Sequence, residues 1–420
     1  MAAIDSKNLK VGGAILVAGN AVQALVAFAV NLVLVRYLIP DEFGRFAVIL
    51  AGASVVYWVM SLRVNVLIIR HGDAEYDERA KDLYFSAITL EALAATLIIL
   101  LWLAVTGGLG LWETTLVAAV GLRHWTDLNK TFYERTMPYR QLALVETGAA
   151  LGGHLTALVL TLLGAGWVVL FIREAVISVL SVCCLWAVGG LTLGRVRLLS
   201  LANWRYLFKE ARGVWLDSVL EGSFQRWTIL LAGFLGGDAA AGLFFQAQRL
   251  AVVPQQLLAP VVNRIMVNWF GRTEDPSERV LGRDRLLRMI SLPLAVVGIL
   301  TILFADPVVP WLFGEKWSRV ADLFATMCGM VTFFSLFETL KAYCLSTRQT
   351  KKILAGRVVQ YAGLLVPAAA GFAGWMSADV SLAVGLSMAY FMAFLFVLLV
   401  LRRQERAAAT DMAAIADETR

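Results

Sequence analysis

The sequence predicts an all-α polytopic membrane protein of about twelve transmembrane helices, arranged as two pseudo-symmetric six-helix bundles. Three observations predict it. The 420 residues are 59% hydrophobic and only 16% charged, with a mean hydropathy of +0.72, whereas soluble domains carry about 25% charged residues. So apolar a chain stays dispersed only if most of its surface meets lipid. The apolar residues gather in runs close to the roughly 20 residues a helix needs to cross the hydrocarbon core. The basic residues collect on one side of those runs.

The runs lie near 11–35, 44–69, 83–105, 111–130, 141–163, 167–188, 213–235, 239–262, 289–305, 320–345, 353–374 and 379–401. The fourth is the weakest, because Arg123, His124 and Asp127 interrupt it, and the ninth is short. The first is too long for a cleavable signal and no small-residue cleavage site follows, so it is expected to stay in the mature protein. With the N-terminus in the cytoplasm, 27 of the 37 lysines and arginines, Arg123 among them, fall in cytoplasmic segments and adjoining span ends. Only 4 fall outside (Arg36, Arg45, Lys316 and Arg319), and 6 lie within spans. The positive-inside rule then places both termini in the cytoplasm. The sequence pI of about 9.2 reads as attraction to an anionic bilayer face rather than to nucleic acid.

The outer connections at 164–166 and 236–238 are nearly bare turns, and the largest polar stretches, 189–212 and 263–288, are cytoplasmic. Leu201, Trp204, Leu207, Phe208 and Ala211 recur at helical spacing opposite Arg205, Lys209 and Arg212. That pattern fits an interfacial amphipathic helix joining two halves. The expected organisation is a first six-helix bundle over 1–195, a linker helix over 196–212, a second bundle over 213–402 and a cytoplasmic tail over 403–420. A duplication supports the two halves. Asp41-Glu42-Phe43-Gly44 after the first span and Asp238 with Gly242-Leu243-Phe244 after the seventh open the next helix alike. Six spans per half would relate the halves by an axis along the membrane normal. The glycine pairs 12–13, 107–108 and 152–153 are expected at turns or close helix contacts, and the four cysteines read as small hydrophobes within helices.

Four segments carry a family resemblance. They are Val35-Arg36-Tyr37-Leu38-Ile39-Pro40-Asp41-Glu42-Phe43-Gly44; Gly237-Asp238 with Gly242-Leu243-Phe244-Phe245-Gln246-Ala247-Gln248-Arg249-Leu250; Leu312-Phe313-Gly314-Glu315-Lys316-Trp317; and Arg135-Thr136-Met137-Pro138-Tyr139-Arg140, closed by Gly164-Ala165-Gly166-Trp167. In order and spacing they resemble the polysaccharide (O-antigen and exopolysaccharide) flippases of the multidrug/oligosaccharidyl-lipid/polysaccharide exporter superfamily. Two departures stand out: Gln225-Arg226 where many members have an Asp-Arg pair, and about twelve spans where many have fourteen. The resemblance implies two six-helix bundles in a V in the bacterial inner membrane. It also implies the task of moving a polyprenyl-diphosphate-linked oligosaccharide from the cytoplasmic to the periplasmic leaflet, with polysaccharide assembly proteins as partners.

Ionisable groups within the spans carry the mechanistic signal, since a charge near the bilayer centre costs roughly 2.5–3.5 kcal/mol on insertion scales and must face protein or water. Arginine matches phosphate oxygens with a planar fork, so Arg63, Arg226 and Arg249 are the candidates for a cationic cavity taking a diphosphate head group. Charge pairing within the bundle is the competing reading. Asp217 and Glu221 share one helix face, where two carboxylates raise each other's proton affinity. They are candidates for coupling to a proton or Na+, or counter-ions for Arg226 or Arg249. Glu338 and Lys341 are three apart and able to pair. Lys341 and Arg357 lie close enough to span ends to snorkel, and the neighbours Arg173 and Glu174 are expected to face apart. His124 and His154 read as hydrogen-bonded structural groups, with a proton relay as the alternative. No cofactor, metal cluster, phosphate-cradling glycine loop or catalytic constellation is evident, so the chain does not read as an enzyme. The alternatives are a cation-coupled drug or small-molecule antiporter of the same fold and, further off, a polysaccharide polymerase or ligase, which would be expected to carry a sizeable periplasmic loop.

Overall fold

The computed structural model describes residues 6–70, 76–136, 138–265, 273 and 275–418. Met137 of the fourth motif, and 266–272 and 274 of the 263–288 stretch, lie outside the described residues. Among the described residues the regular structure is helical throughout: α1 (Ser6–Tyr37), α2 (Pro40–Met60), α3 (Val64–Arg70), α4 (Glu78–Val105), α5 (Leu111–Glu134), α6 (Tyr139–Leu162), α7 (Val168–Ala187), α8 (Leu201–Ile265), α9 (Pro276–Phe313), α10 (Arg319–Thr326), α11 (Cys328–Ser346), α12 (Thr350–Phe372) and α13 (Ala378–Glu418). Each expected apolar run finds a helix. The second is split between α2 and α3, the seventh and eighth are the two arms of α8 on either side of Gly237, and the tenth is the α10–α11 pair, bent by 50°. By length and hydropathy alone, 8 of the described helices can cross a membrane, or 9 with the bent pair.

Local signals set the helix ends. Pro40 opens α2 and the Glu42 carboxylate accepts the Ile39 N–H at 2.9 Å, while Asp77 caps α4 by accepting from Ala80 at 2.8 Å. Such caps satisfy backbone donors that the helix leaves open. Gly237 stands at φ +76° and interrupts α8, a conformation that costs a glycine little.

The chain divides into two compact units, Met1–Leu230 and Leu231–Arg420, with the division inside α8. In the first unit α6 packs on α1 and α7, and α5 on α4 and α7. A Cβ on Gly152 or Gly153 would overlap Leu180 or Ile177, and one on Gly153 would also lie 3.2 Å from the Arg173 carbonyl, so the 152–153 glycine pair sets a close α6–α7 approach. Gly107 instead takes φ +72° in a turn.

The polar stretch before α8 is tied down. The Asn129 side chain both donates to and accepts from the Thr192 backbone, at 2.8 and 3.0 Å, and the Ser86 hydroxyl donates to the Arg195 carbonyl. The segment expected as an interfacial linker is helical from Leu201 and continues into the seventh span with no break at 212. Its Leu207 and Ala211 are buried against Val64, Leu67, Tyr84, Phe85, Leu128 and Phe132. Trp204, Leu207 and Ala211 of the apolar stripe thus have a protein partner, while Leu201 and Phe208 remain exposed. Between α3 and α4, burial pushes the Tyr76 hydroxyl up to about 12 even with the Arg135 guanidinium stacked 4.1 Å over its ring.

In the second unit α13 packs on α12 and α11, and α9 on α11. Arg283 is fully buried, held by Asp284 at 2.8 Å and by Glu405 across to α13 at 3.1 Å. Arg357, expected to snorkel, is only 2% exposed. It reaches Glu338 at 3.1 Å and Gln360 at 3.0 Å and stacks on Phe337. Its planar guanidinium spreads its charge over several partners, which lets it stay inside. Lys341 pairs with Glu338 at 3.0 Å, as the i,i+3 spacing suggests.

Candidate functional site

A cluster of charges within the expected spans of the first unit lies around Glu174 on α7. Its Oε1 accepts from Arg173 Nε at 3.1 Å and Nη2 at 2.9 Å, and its Oε2 from Arg123 Nη1 at 3.3 Å. The expectation that Arg173 and Glu174 face apart is therefore corrected. Their Cβ atoms do diverge, but a guanidinium is long enough to fold back around the helix onto its neighbour's carboxylate. The Phe46 ring of α2 supports Arg173 at 5.5 Å. Arg226 on α8 lies within electrostatic reach of both Glu174 and Arg123, and His154 on α6 lies within reach of Glu174.

Three arginines thus surround one carboxylate, an excess of two positive charges. Glu174 and Arg173 are buried, but the Arg123 side chain is 47% exposed, so the cationic surplus borders open space. Helix position explains the arrangement. Arg123 stands near the middle of α5, not at its end as its place among the loop charges supposed. The residues that make α5 weak as a span are occupied in the fold: Arg123 with Glu174, His124 stacked on Tyr57 at 5.0 Å, and Asp127 with Lys130 at 3.2 Å.

Of the residues singled out in the sequence, Arg63 sits in the break between α2 and α3 at φ +56°, left-handed for a residue that has a Cβ. Its guanidinium stacks 4.9 Å over Trp58, its Nε is buried without a hydrogen-bond partner, and Glu221 lies within electrostatic reach. The indole of Trp58 presses on Gly222, where a Cβ would overlap it. Asp217 and Glu221 are one turn apart on α8, and Asp217 Oδ1 is buried without a partner. Glu221 is thus near Arg63 while Arg226 is near Glu174. Arg249 belongs to the second unit, 5.6 Å over Phe245. Sequence reasoning treats Arg123 as an interruption of the fourth run and Arg173 as a neighbour of Glu174, and places neither in the site, because nothing local to either residue names the partner it meets.

One more acid stands apart. Glu91 of α4 is 4% exposed, accepts the Leu62 N–H at 3.3 Å and leaves Oε2 without a partner. Together with Trp215, which donates to the Val59 carbonyl at 3.0 Å, it fastens the break between α2 and α3.

With this geometry in place, known proteins provide the comparison. Residues 33–322 match the family described as polysaccharide biosynthesis protein. The lipopolysaccharide biosynthesis protein WzxC of Escherichia coli (strain K12) is 29% identical over 126 residues, covering 28% of this chain and 24% of that protein, so the likeness spans about a quarter of the curated relative. Among solved structures, the lipid II flippase MurJ in an inward closed conformation superposes with a TM-score of 0.69 at 10% identity, over 92% of this chain and 87% of that one. The inward-facing form of a multidrug resistance MATE family transporter of the MOP superfamily gives 0.66 at 15% identity, over 95% and 99%. At such identities the likeness establishes the fold, and it is the fold the sequence motifs led one to expect.

Proposed function

The chain belongs to the polysaccharide biosynthesis protein family, and from that premise we propose that it flips a polyprenyl-diphosphate-linked oligosaccharide across the bacterial inner membrane. Transport runs from the cytoplasmic to the periplasmic leaflet by alternating access. The chain is a multi-pass membrane protein with the fold of MOP-superfamily transporters, and the reading of its cargo rests on one observation above the others. Arg123, Arg173 and Arg226 outnumber the single carboxylate they surround.

A diphosphate is compact, doubly charged and rich in acceptor oxygens. Guanidinium groups bind such oxygens with paired hydrogen bonds and keep their charge in a partly desolvated cavity. Glu174 holds two of the three in place, so that they are presented without rearrangement. Arg63 adds a fourth cation in the same unit, and Arg249 is retained as a candidate in the second unit on its chemistry alone. Asp217 and Glu221 are the proposed coupling carboxylates for a proton or Na+; the unpartnered buried oxygen of Asp217 favours that role. A drug antiporter selecting cations would need a surplus of acids here, the opposite of what Glu174 and its neighbours supply.

The test is a proteoliposome assay with a fluorescent polyprenyl-diphosphate oligosaccharide, read as protection from a membrane-impermeant quencher. Wild type should move the lipid between leaflets, and Arg173→Gln with Arg226→Gln should abolish the movement while the protein still inserts. Full movement by the double variant, or efflux of cationic dyes by wild type with no movement of the glycolipid, would reject the reading.

A further inference from the structure

The second unit carries a cleft that the transport site does not use. It has a volume of about 360 Å³ and lies between the N-terminal half of α9 and the middle of α13, with Leu287, Leu336, Phe394 and Leu398 as its apolar walls and Asp284, Arg288, Ser291 and Arg402 as its polar residues. Its volume is within the usual range for small-ligand pockets. The residues follow helical spacing on both sides. On α13, Phe394, Leu398 and Arg402 fall four apart, and on α9, Asp284, Leu287, Arg288 and Ser291 fall at i, i+3, i+4 and i+7. One helix face each therefore forms the walls, and the groove runs along the helix axes. From Arg402 to Phe394 is eight residues, or about 12 Å at the helical rise.

We propose that this cleft binds an anionic phospholipid, its phosphate between Arg288 and Arg402 and one acyl chain along Leu398 and Phe394. Charge is the first argument. The acids Asp284 and Glu405 share the buried Arg283, so with Arg288 and Arg402 the three arginines outnumber the two acids and the mouth keeps a net positive charge. Arg402 approaches Asp284 only at 3.5 Å and its side chain is 50% exposed, while Arg288 uses its Nε on the Asp284 carbonyl. Most of the donor capacity of these two guanidinium groups is left for a ligand. Surroundings are the second argument. Met289 and Leu292 beside Arg288, and Leu395 and Leu399 on α13, are exposed apolar side chains, surroundings that suit an acyl chain. A free phosphate ion would satisfy the arginines and leave the apolar groove empty; a zwitterionic lipid would bring its own cation to a cationic mouth. Basic pockets between membrane helices are a recurring setting for anionic head groups.

The measurement is the thermal stability of the purified full chain in detergent as phosphatidylglycerol or phosphatidylcholine is titrated in, with retained lipid read by native mass spectrometry. Phosphatidylglycerol should stabilise wild type more than phosphatidylcholine does. Arg288→Gln with Arg402→Gln should weaken its apparent affinity by about thirtyfold, since each basic group near an anionic lipid contributes roughly 1 kcal/mol and about 1.4 kcal/mol is tenfold. Leu398→Trp, which fills the groove and leaves both arginines, should also lose the preference, and serves if the double variant folds poorly. Equal stabilisation by the two lipids, an unchanged phosphatidylglycerol response in both variants, or a preference for polyprenyl phosphate over phosphatidylglycerol would overturn the proposal. None of these readouts depends on glycolipid transport, so this proposal and the proposed function fail separately.

Discussion

Glu174 accepts from two guanidinium groups while a third stands within electrostatic reach. A buried carboxylate so surrounded stabilises the arrangement mainly by preventing what its loss would leave, a set of partly buried arginines with no counter-ion. Glu174→Ala is expected to cost about 3–5 kcal/mol, seen as a lower melting temperature in detergent. Arg226 touches Glu174 less directly, so its removal should separate function from folding. Arg226→Ala should lower flipping by about tenfold to a hundredfold, since a hydrogen bond to a charged group contributes roughly 1.5–3 kcal/mol, with little change in melting temperature. Arg226→Lys should restore part of the rate if charge alone draws the diphosphate, and almost none if the planar fork is required. Arg63 offers a different experiment. Its left-handed backbone costs a residue with a Cβ roughly 1–2 kcal/mol, and glycine would relieve that cost while removing the stack on Trp58. Arg63→Gly is expected to keep its stability and lose transport; a variant flipping at the wild-type rate would remove Arg63 from the site.

At the scale of elements, the approach of α6 to α7 positions Glu174. Gly152 and Gly153 let the helices meet, and the Arg173 carbonyl is already close to where a Cβ of Gly153 would stand. Gly153→Leu should force α7 away from α6, lowering stability by about 1–3 kcal/mol, the usual cost of overpacking, and displacing Glu174 from Arg123. A Gly153→Leu protein with unaltered melting temperature and transport would show that the close approach is not needed. The α2–α3 break is the second element of interest. Its apolar composition is that of an unbroken helix, and the run 44–69 reads as one span. Glu91 on the Leu62 N–H and Trp215 on the Val59 carbonyl come from helices 29 and 156 residues away in sequence. Backbone groups freed by a break in a membrane helix need such partners, and nothing near residue 62 announces them.

For the whole molecule, orientation is the open prediction. Reporter fusions at Gly110, Gly164 and Gly314 should read periplasmic and fusions within 189–200 cytoplasmic; a cytoplasmic reading at two of the three glycines would invert the arrangement. Transport direction and the leaflet of the proposed lipid both depend on that result. The sequence by itself determined that this is a helical membrane protein, where each apolar run lies, and the family to which it belongs. These follow from one-dimensional quantities: hydropathy over about 20 residues, and motifs local to turns such as Pro40-Asp41-Glu42 and Gly237-Asp238. Only the tertiary structure decided which charges meet. Arg123 looked like a loop charge and Arg357 like a snorkelling one, yet the first joins Glu174 and the second is buried on Glu338. Of the amphipathic face of 201–211, Trp204, Leu207 and Ala211 pack on protein, while Leu201 and Phe208 stay exposed. A span's pattern states that a charge must be compensated, because hydrocarbon does not solvate it. Which partner compensates it depends on how helices distant in sequence are brought side by side, and that is settled by packing, through contacts such as those of Gly153 and Gly222, whose sequence signal is a single missing side chain.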